Sequence, residues 1–279
     1  MGRPARRPAL RSIRRPAGLL AALLALGAPP AAADTPLQSL DLRHELLGFE
    51  AVGRLDLGEG FCTGALIAPD LVLTAAHCLI GPSGARRDPR LATFRAGYRD
   101  GGGLAERAGA RAIVHPDYRP DDTDGLRQLR ADIALLQLAE PIPAGRIAPF
   151  GLAPAPAAGA DVGVVSYARD RAGAPAWQRR CGVLAAGQGA LMMSCDTHFG
   201  SSGAPVFEMG AGRPRIVSLI SRGARDAEGR ALVWGMDAAR AVPVLKAALR
   251  AGRGVWPEAE AIAARRVRVG PAAAGAEAG

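Results

Sequence analysis

A histidine, an aspartate and a glycine-flanked serine occur in that chain order, each in a frame able to hold it rigidly. They are His77 in Leu71-Val72-Leu73-Thr74-Ala75-Ala76-His77-Cys78, Asp132 in Ala131-Asp132-Ile133-Ala134-Leu135-Leu136, and Ser202 in Gly200-Ser201-Ser202-Gly203-Ala204-Pro205. Serine alone is a poor nucleophile at neutral pH. It needs an imidazole to take its proton, and the imidazole needs a carboxylate to fix its tautomer and stabilise its cation. Acyl transfer is the chemistry such a set could perform, and His…Asp…Ser is one of the few chain orders in which it recurs.

Each position has rivals. Of the four histidines, His44 lies in no motif, and His115 precedes Pro116. His198 is too near Ser202 along the loop to serve as an oriented base, although it could line the cleft. Asp132 interrupts an apolar run, where an unpaired carboxylate would be costly. An imidazole partner resolves that cost; pairing to a structural donor is the alternative. Asp121, Asp122 and Asp124 beside Gly125 lack the closing glutamate of a calcium loop and read as a solvated turn. Ser201 is the alternative nucleophile, but the Gly-x-Ser-Gly frame centres on Ser202. The N–H groups of Gly200 and Ser202 are expected to converge on an oxyanion. Glycine at 200 leaves that hole open, and Gly203 permits a tight bend.

The elements that must position these residues read as all-β. Short apolar or alternating runs recur at 51–55, 63–67, 71–75, 110–114, 133–138, 162–166, 178–184, 190–195, 206–207, 215–221 and 231–236, separated by Gly, Pro and Asp clusters. Many short strands between turn signals suggest barrels or sandwiches. The Pro- and Ala-rich stretches Pro141 to Pro143 and Phe150 to Gly159 fit a connection between two halves. Residues 238–250 carry a helical apolar pattern (Ala238, Ala241, Val242, Leu245, Leu249) despite Pro243.

Phe61 to Ile67 with Val72 to Cys78, Ile113 to Tyr118 with Asp132 to Leu135, and Gly200 to Pro205 together resemble the trypsin-like serine proteases over about residues 50 to 250. The resemblance implies two six-stranded antiparallel barrels of the chymotrypsin type, with the active site between them and a short C-terminal helix. It implies His77, Asp132 and Ser202 as the catalytic set, and a disulfide between Cys62 and Cys78, leaving Cys181 for Cys195. The Asp196-Thr197 pair and the absence of aspartate before the nucleophile are similar to the bacterial glutamyl-endopeptidase branch. Two departures from trypsin stand out. Ser201 replaces the aspartate that pairs with a new N-terminus during zymogen activation, and no Ile-Val-Gly-Gly start follows Asp34. Asp196 falls where trypsin's arginine-binding aspartate would, yet that branch carries an Asp-Thr pair here without preferring basic substrates. Ile220 to Gly223, the far wall, lacks the histidine with which that branch binds glutamate. Asp196, Thr197, Ser221 and Gly223 are thus the expected substrate-binding residues, with specificity open.

Residues 1–33 hold six arginines and no acid, then the apolar run Gly18 to Leu26 and Ala31 to Ala33, and read as a signal peptide cleaved near Ala33. The run is too short for a membrane span. Removing it leaves about +3 of the formal +9, so the charge points to no nucleic-acid partner. Four cysteines in an exported chain should pair. The expected organisation is a protease domain at about 34–252, with barrels near 46–140 and 150–237, a helix near 238–250 and a low-complexity tail at 253–279. These features imply a secreted or periplasmic serine endopeptidase acting on polypeptides as a monomer, with no cofactor, no metal and no stable membrane association. An esterase using the same triad and an inactive protease-fold binding protein are the alternatives.

Overall fold

The computed structural model describes Gly2 and residues 34–81, 83–210 and 212–257. Apart from Gly2, the expected signal segment lies outside the described residues, as does the tail beyond 257.

The first half is a closed barrel built from β2 (Val52–Asp56), β3 (Phe61–Ala68), β4 (Leu71–Thr74), β5 (Thr93–Ala96), β6 (Ala105–Val114) and β7 (Ala134–Leu138). Its strand order is β2-β3-β4-β7-β6-β5, antiparallel throughout. All of β4 is buried, which is why it reads as a continuous apolar run rather than an alternation. Gly53 and Gly64 are register partners on β2 and β3. A Cβ at Gly53 would collide with the buried Phe94 ring, and one at Gly64 would come within 2.7 Å of Val72 Cγ1. The paired glycines therefore let the core fill a narrow barrel.

The second half contains β8 (Asp161–Ala168), β9 (Arg171–Gly187), β10 (Ala190–Met193), β11 (Pro205–Glu208), β12 (Arg215–Leu219), β13 (Arg222–Arg225) and β14 (Ala231–Met236). Instead of a six-strand ring, the hydrogen-bonded path runs β12-β11-β8-β9-β10-β14-β13, with β1 (Leu37–Ser39) added on β9. The length of β9 explains the extra strand. Its early residues pair with β8 and β1, and its late residues with β10. A Cβ at Gly235 on β14 would collide with the Leu219 carbonyl on β12, so the two strands lie backbone to backbone near the ends of this path.

A cluster of rings binds the halves. Phe49, before β2, lies 4.9 Å from Trp177 on β9 and 5.6 Å from Phe207 on β11, and Phe150 in the connection lies 4.7 Å from Phe207. Helix α1 (Ala76–Leu79) follows β4, and α2 (Gly125–Ala131) follows the acidic turn. Helix α3 (Ala238–Arg250) buries Ala238, Ala241, Val242, Leu245 and Leu249, and Asp237 caps it by accepting from the Arg240 N–H. Pro243 removes one internal hydrogen bond, and the buried stripe offsets that loss.

Candidate active site

His77 sits in α1, immediately after the buried strand β4 and beside a disulfide. Ala75 and Ala76 are fully buried, and Cys62–Cys78 ties α1 to β3. Closing this loop stabilises the fold by about 3 kcal/mol in the chain-entropy model. Cys62, His77 and Cys78 cluster closely, but both sulfurs are consumed in the bond and offer no thiolate to a metal.

Asp132 terminates α2, a helix not expected from the sequence, which follows the turn at Asp121, Asp122 and Asp124. The acids there have local partners. Asp124 caps α2 by accepting from the N–H groups of Leu126 and Arg127, and Asp122 accepts from Arg127 Nε at 2.6 Å. Only Leu129 and Ala131 of the helix are buried, so its apolar face was too short to register as a period. The helix delivers Asp132, itself buried, to His77. One carboxylate oxygen accepts the His77 backbone N–H at 2.9 Å. The other lies 2.8 Å from His77 Nδ1 and also accepts from the Ser221 hydroxyl. Ser221, expected on the pocket wall, does line the cavity, but its hydroxyl serves Asp132; no sequence motif signalled that second contact.

These contacts set the titration of the pair. Burial pulls the His77 imidazole down, the Asp132 hydrogen bond and charge pull it up, and Arg222 pulls it down; the balance is raised above 6.5. Burial raises the Asp132 carboxyl, while the His77 hydrogen bond and charge, then Ser221 and the His77 N–H, hold it below its ordinary value. None of the other three histidines has a carboxylate as close. His115 is 3.9 Å from Asp117, His198 is 4.0 Å from Asp170, and among the described residues the exposed His44 has no carboxylate partner.

Ser202 lies in the turn before β11. Its carbonyl accepts from Thr63 N–H on β3 at 2.9 Å, which ties the serine turn to the first half. Gly203 has φ +76°, and a Cβ there would collide with Thr74, Thr63 and the Ala75 nitrogen, leading into His77. Only glycine lets the turn approach so closely. The Ser202 hydroxyl makes no hydrogen bond among the described residues and borders a cavity of about 410 Å³. Ser201 points inward instead. It is 1% exposed, and its hydroxyl reaches Tyr167 O at 3.3 Å and Ser166 Oγ at 3.4 Å. Gly200 adopts φ +101°. The Ser201 N–H donates to His198 O, and Phe199 O accepts from Arg169. Among the described residues, the N–H groups of Gly200 and Ser202 have no protein acceptor, so both are available for an oxyanion.

The cavity is lined by Thr197, Ile220, Arg222, Gly223, Arg225 and Ala231. A Cβ on Gly223 would lie 2.8 Å from Thr197 Oγ1, so these walls meet closely. Asp196 does not itself line the cavity; Arg225, its ion-pair partner, does. The Asp196 carboxylate is bonded to Arg225, its backbone N–H donates to Gln178 Oε1, and Cys181–Cys195 anchors the segment just before it.

A two-part β fold that pairs a histidine with a buried aspartate and packs a glycine-flanked serine turn against the strand leading into that histidine has the architecture of a class of hydrolase scaffolds. The Trypsin family model matches residues 47–233, and the chain belongs to that family. It is 38% identical over 85 residues to Trypsin Blo t 3 of Blomia tropicalis, a match covering 30% of this chain and 28% of that protein. The chain thus spans under a third of the length of that curated relative. A solved Glu endopeptidase in complex with MPD superposes with a TM-score of 0.62 at 17% identity, covering 78% of this chain and 98% of the other. That likeness shows the fold.

Proposed function

We propose that the chain is a secreted serine endopeptidase that hydrolyses peptide bonds through an acyl-enzyme. The His77–Asp132 contact of 2.8 Å carries this reading. With Nδ1 turned to Asp132, Nε2 is left to serve Ser202. Nε2 takes the hydroxyl proton as Ser202 Oγ attacks the substrate carbonyl, and the carbonyl electrons move onto oxygen. The N–H groups of Gly200 and Ser202 receive that oxyanion. Collapse of the intermediate expels the amine, which takes the proton from His77, and water then repeats the sequence to free Ser202. Nucleophile-to-base hydrogen bonds often tighten only once substrate is bound, consistent with the unbonded Ser202 hydroxyl. Losing one oxyanion donor costs about 10²–10³ in turnover.

Family membership supports the peptidase reading over an esterase, and likeness to a Glu endopeptidase agrees with the bacterial branch. The two disulfides fit an oxidising compartment and, with residues 1–33 read as a signal peptide, support export. The protease domain is assigned to about 34–252, acting as a monomer on polypeptides. Ser201, buried and neutral where trypsin has its activating acid, supports activity without a second cut that produces an Ile or Val terminus.

The test is labelling by a fluorophosphonate probe with peptide hydrolysis measured alongside. The native chain is expected to label and cleave, while Ser202→Ala loses labelling and several orders of magnitude in turnover. Absence of labelling in the folded native chain would establish the inactive binding protein instead.

A further inference from the structure

Resting on the peptidase reading, we propose that Arg225 is the specificity-determining residue of the cavity beside Ser202. Its guanidinium fills, from within the chain, the place against Asp196 that a basic substrate side chain would need. The cavity therefore rejects arginine and lysine.

The arrangement is built by the β13–β14 pair. Gly223 faces Val233 and Arg225 faces Ala231 in that register. With Gly223 pressed on Thr197, β13 runs beside the 196–197 segment and brings Arg225 to an acid distant in sequence. Arg225 Nη2 donates to Asp196 Oδ1 at 3.1 Å, and Nη1 donates to Gly229 O at 2.9 Å. The acid is held from behind by Gln178 and the Cys181–Cys195 bond. The arginine is 59% exposed and reaches in from an edge strand, so it is the partner that can be exchanged without rebuilding the wall.

The remaining charges agree. Arg222, another lining residue, donates to Gly125 O and Gln128 Oε1 and adds a second positive charge beside the cavity. Arg171 is within electrostatic reach of Asp196, but Asp170 and the Ser166 hydroxyl hold its guanidinium. Two lining guanidiniums against one satisfied carboxylate repel a basic side chain. Ile220, Ala224 and Ala231 supply the apolar lining. A carboxylate left behind by removal of Arg225 is an unanswered acceptor, and that asymmetry is what the test reads.

Benzamidine, a small aromatic cation, is titrated calorimetrically into the full chain, Arg225→Ala and the double variant Asp196→Asn/Arg225→Ala. Arg225→Ala is expected to bind it at least about tenfold more tightly than the native chain, with the gain lost in the double variant. Arg225→Gln replaces Arg225→Ala should the latter not fold. In parallel, two peptides differing only in Ala or Arg before the scissile bond are compared. The native enzyme is expected to favour Ala, and Arg225→Ala to raise the Arg-to-Ala ratio of kcat/KM by about tenfold. Equal benzamidine affinity of native chain and Arg225→Ala, a gain that survives Asp196→Asn, or native preference for Arg would each overturn the proposal. Binding requires no turnover, so it decides the matter even if fluorophosphonate labelling fails and the peptidase reading falls.

Discussion

The two halves hold their parts of the site in opposite ways. The first half supplies His77 and Asp132 from a closed barrel. Both groups are locked by a disulfide, a buried strand and three hydrogen bonds on one carboxylate. The second half supplies Ser202, the Gly200 and Ser202 N–H groups and the cavity from turns and an exposed edge strand. Proton handling demands rigidity, because the imidazole must keep one tautomer and one orientation. Substrate selection can sit on an edge, where a side chain can change without disturbing a core. The comparison therefore predicts that damage to the first half abolishes chemistry, and that damage to the pocket side of the second redirects it.

Asp132→Asn is the severest trial of the first half. The chain is expected to stay folded by circular dichroism while turnover falls about 10⁴, since the imidazole loses its oriented tautomer. Near-normal turnover in a folded variant would remove Asp132 from the site.

Gly203→Ala strikes the seam where the serine turn presses on β3 and β4. Left-handed strain costs about 1–3 kcal/mol, and the collision with Thr74 adds to it. A lowered denaturation midpoint, with loss of turnover, is expected; an unchanged midpoint would mean the halves do not depend on this contact.

The disulfides offer a matched pair. Their sequence separations are 16 and 14, so replacing either pair by alanine is expected to cost about 3 kcal/mol. The kinetic consequences should differ. Removing Cys62–Cys78 should lower kcat by freeing the His77 loop. Removing Cys181–Cys195 should act on KM and side-chain preference by loosening Asp196. Identical kinetic profiles would erase the distinction between the halves.

The mildest effect is in pH dependence. His77 must be neutral to accept a proton, and its pKa is raised, so kcat/KM should climb with pH through a midpoint above 6.5. Ser221→Ala removes one hydrogen bond to the Asp132 anion. It should lower turnover about tenfold and shift the acid limb, while Arg222→Ala, which removes a charge that lowers the His77 pKa, should move the midpoint upward. A midpoint below 6.5 in the native enzyme would mean that burial of His77 outweighs the pull of Asp132.

Parts of this architecture were legible because their causes are local. Val72 and Leu73 precede His77 in a run that only a buried strand accommodates. The stripe on α3 survives Pro243 because its period spans three turns. The frame around Ser202 carries its glycines where a left-handed turn needs them. Strand β1 (Leu37–Ser39), β5 (Thr93–Ala96) and β13 (Arg222–Arg225) escaped notice for the opposite reason. All four residues of β13 are exposed, and its pairing is written in backbone hydrogen bonds that leave no side-chain period. Helix α2 was missed because one cap and two buried residues make too short a signal.

The sequence by itself determined the residue types of the site, their order along the chain, the family and the all-β character, since these rest on local pattern and composition. Only the tertiary structure decided which groups meet. The Ser221 hydroxyl goes to Asp132, Arg225 satisfies Asp196, Gln178 holds both the Asp196 N–H and the Thr35 carbonyl, and β9 carries an added strand where a closed ring was expected. Each of these contacts joins residues far apart in sequence. Their distances follow from strand register and the packing of one half on the other, and periodicity along a single stretch of chain carries no trace of either.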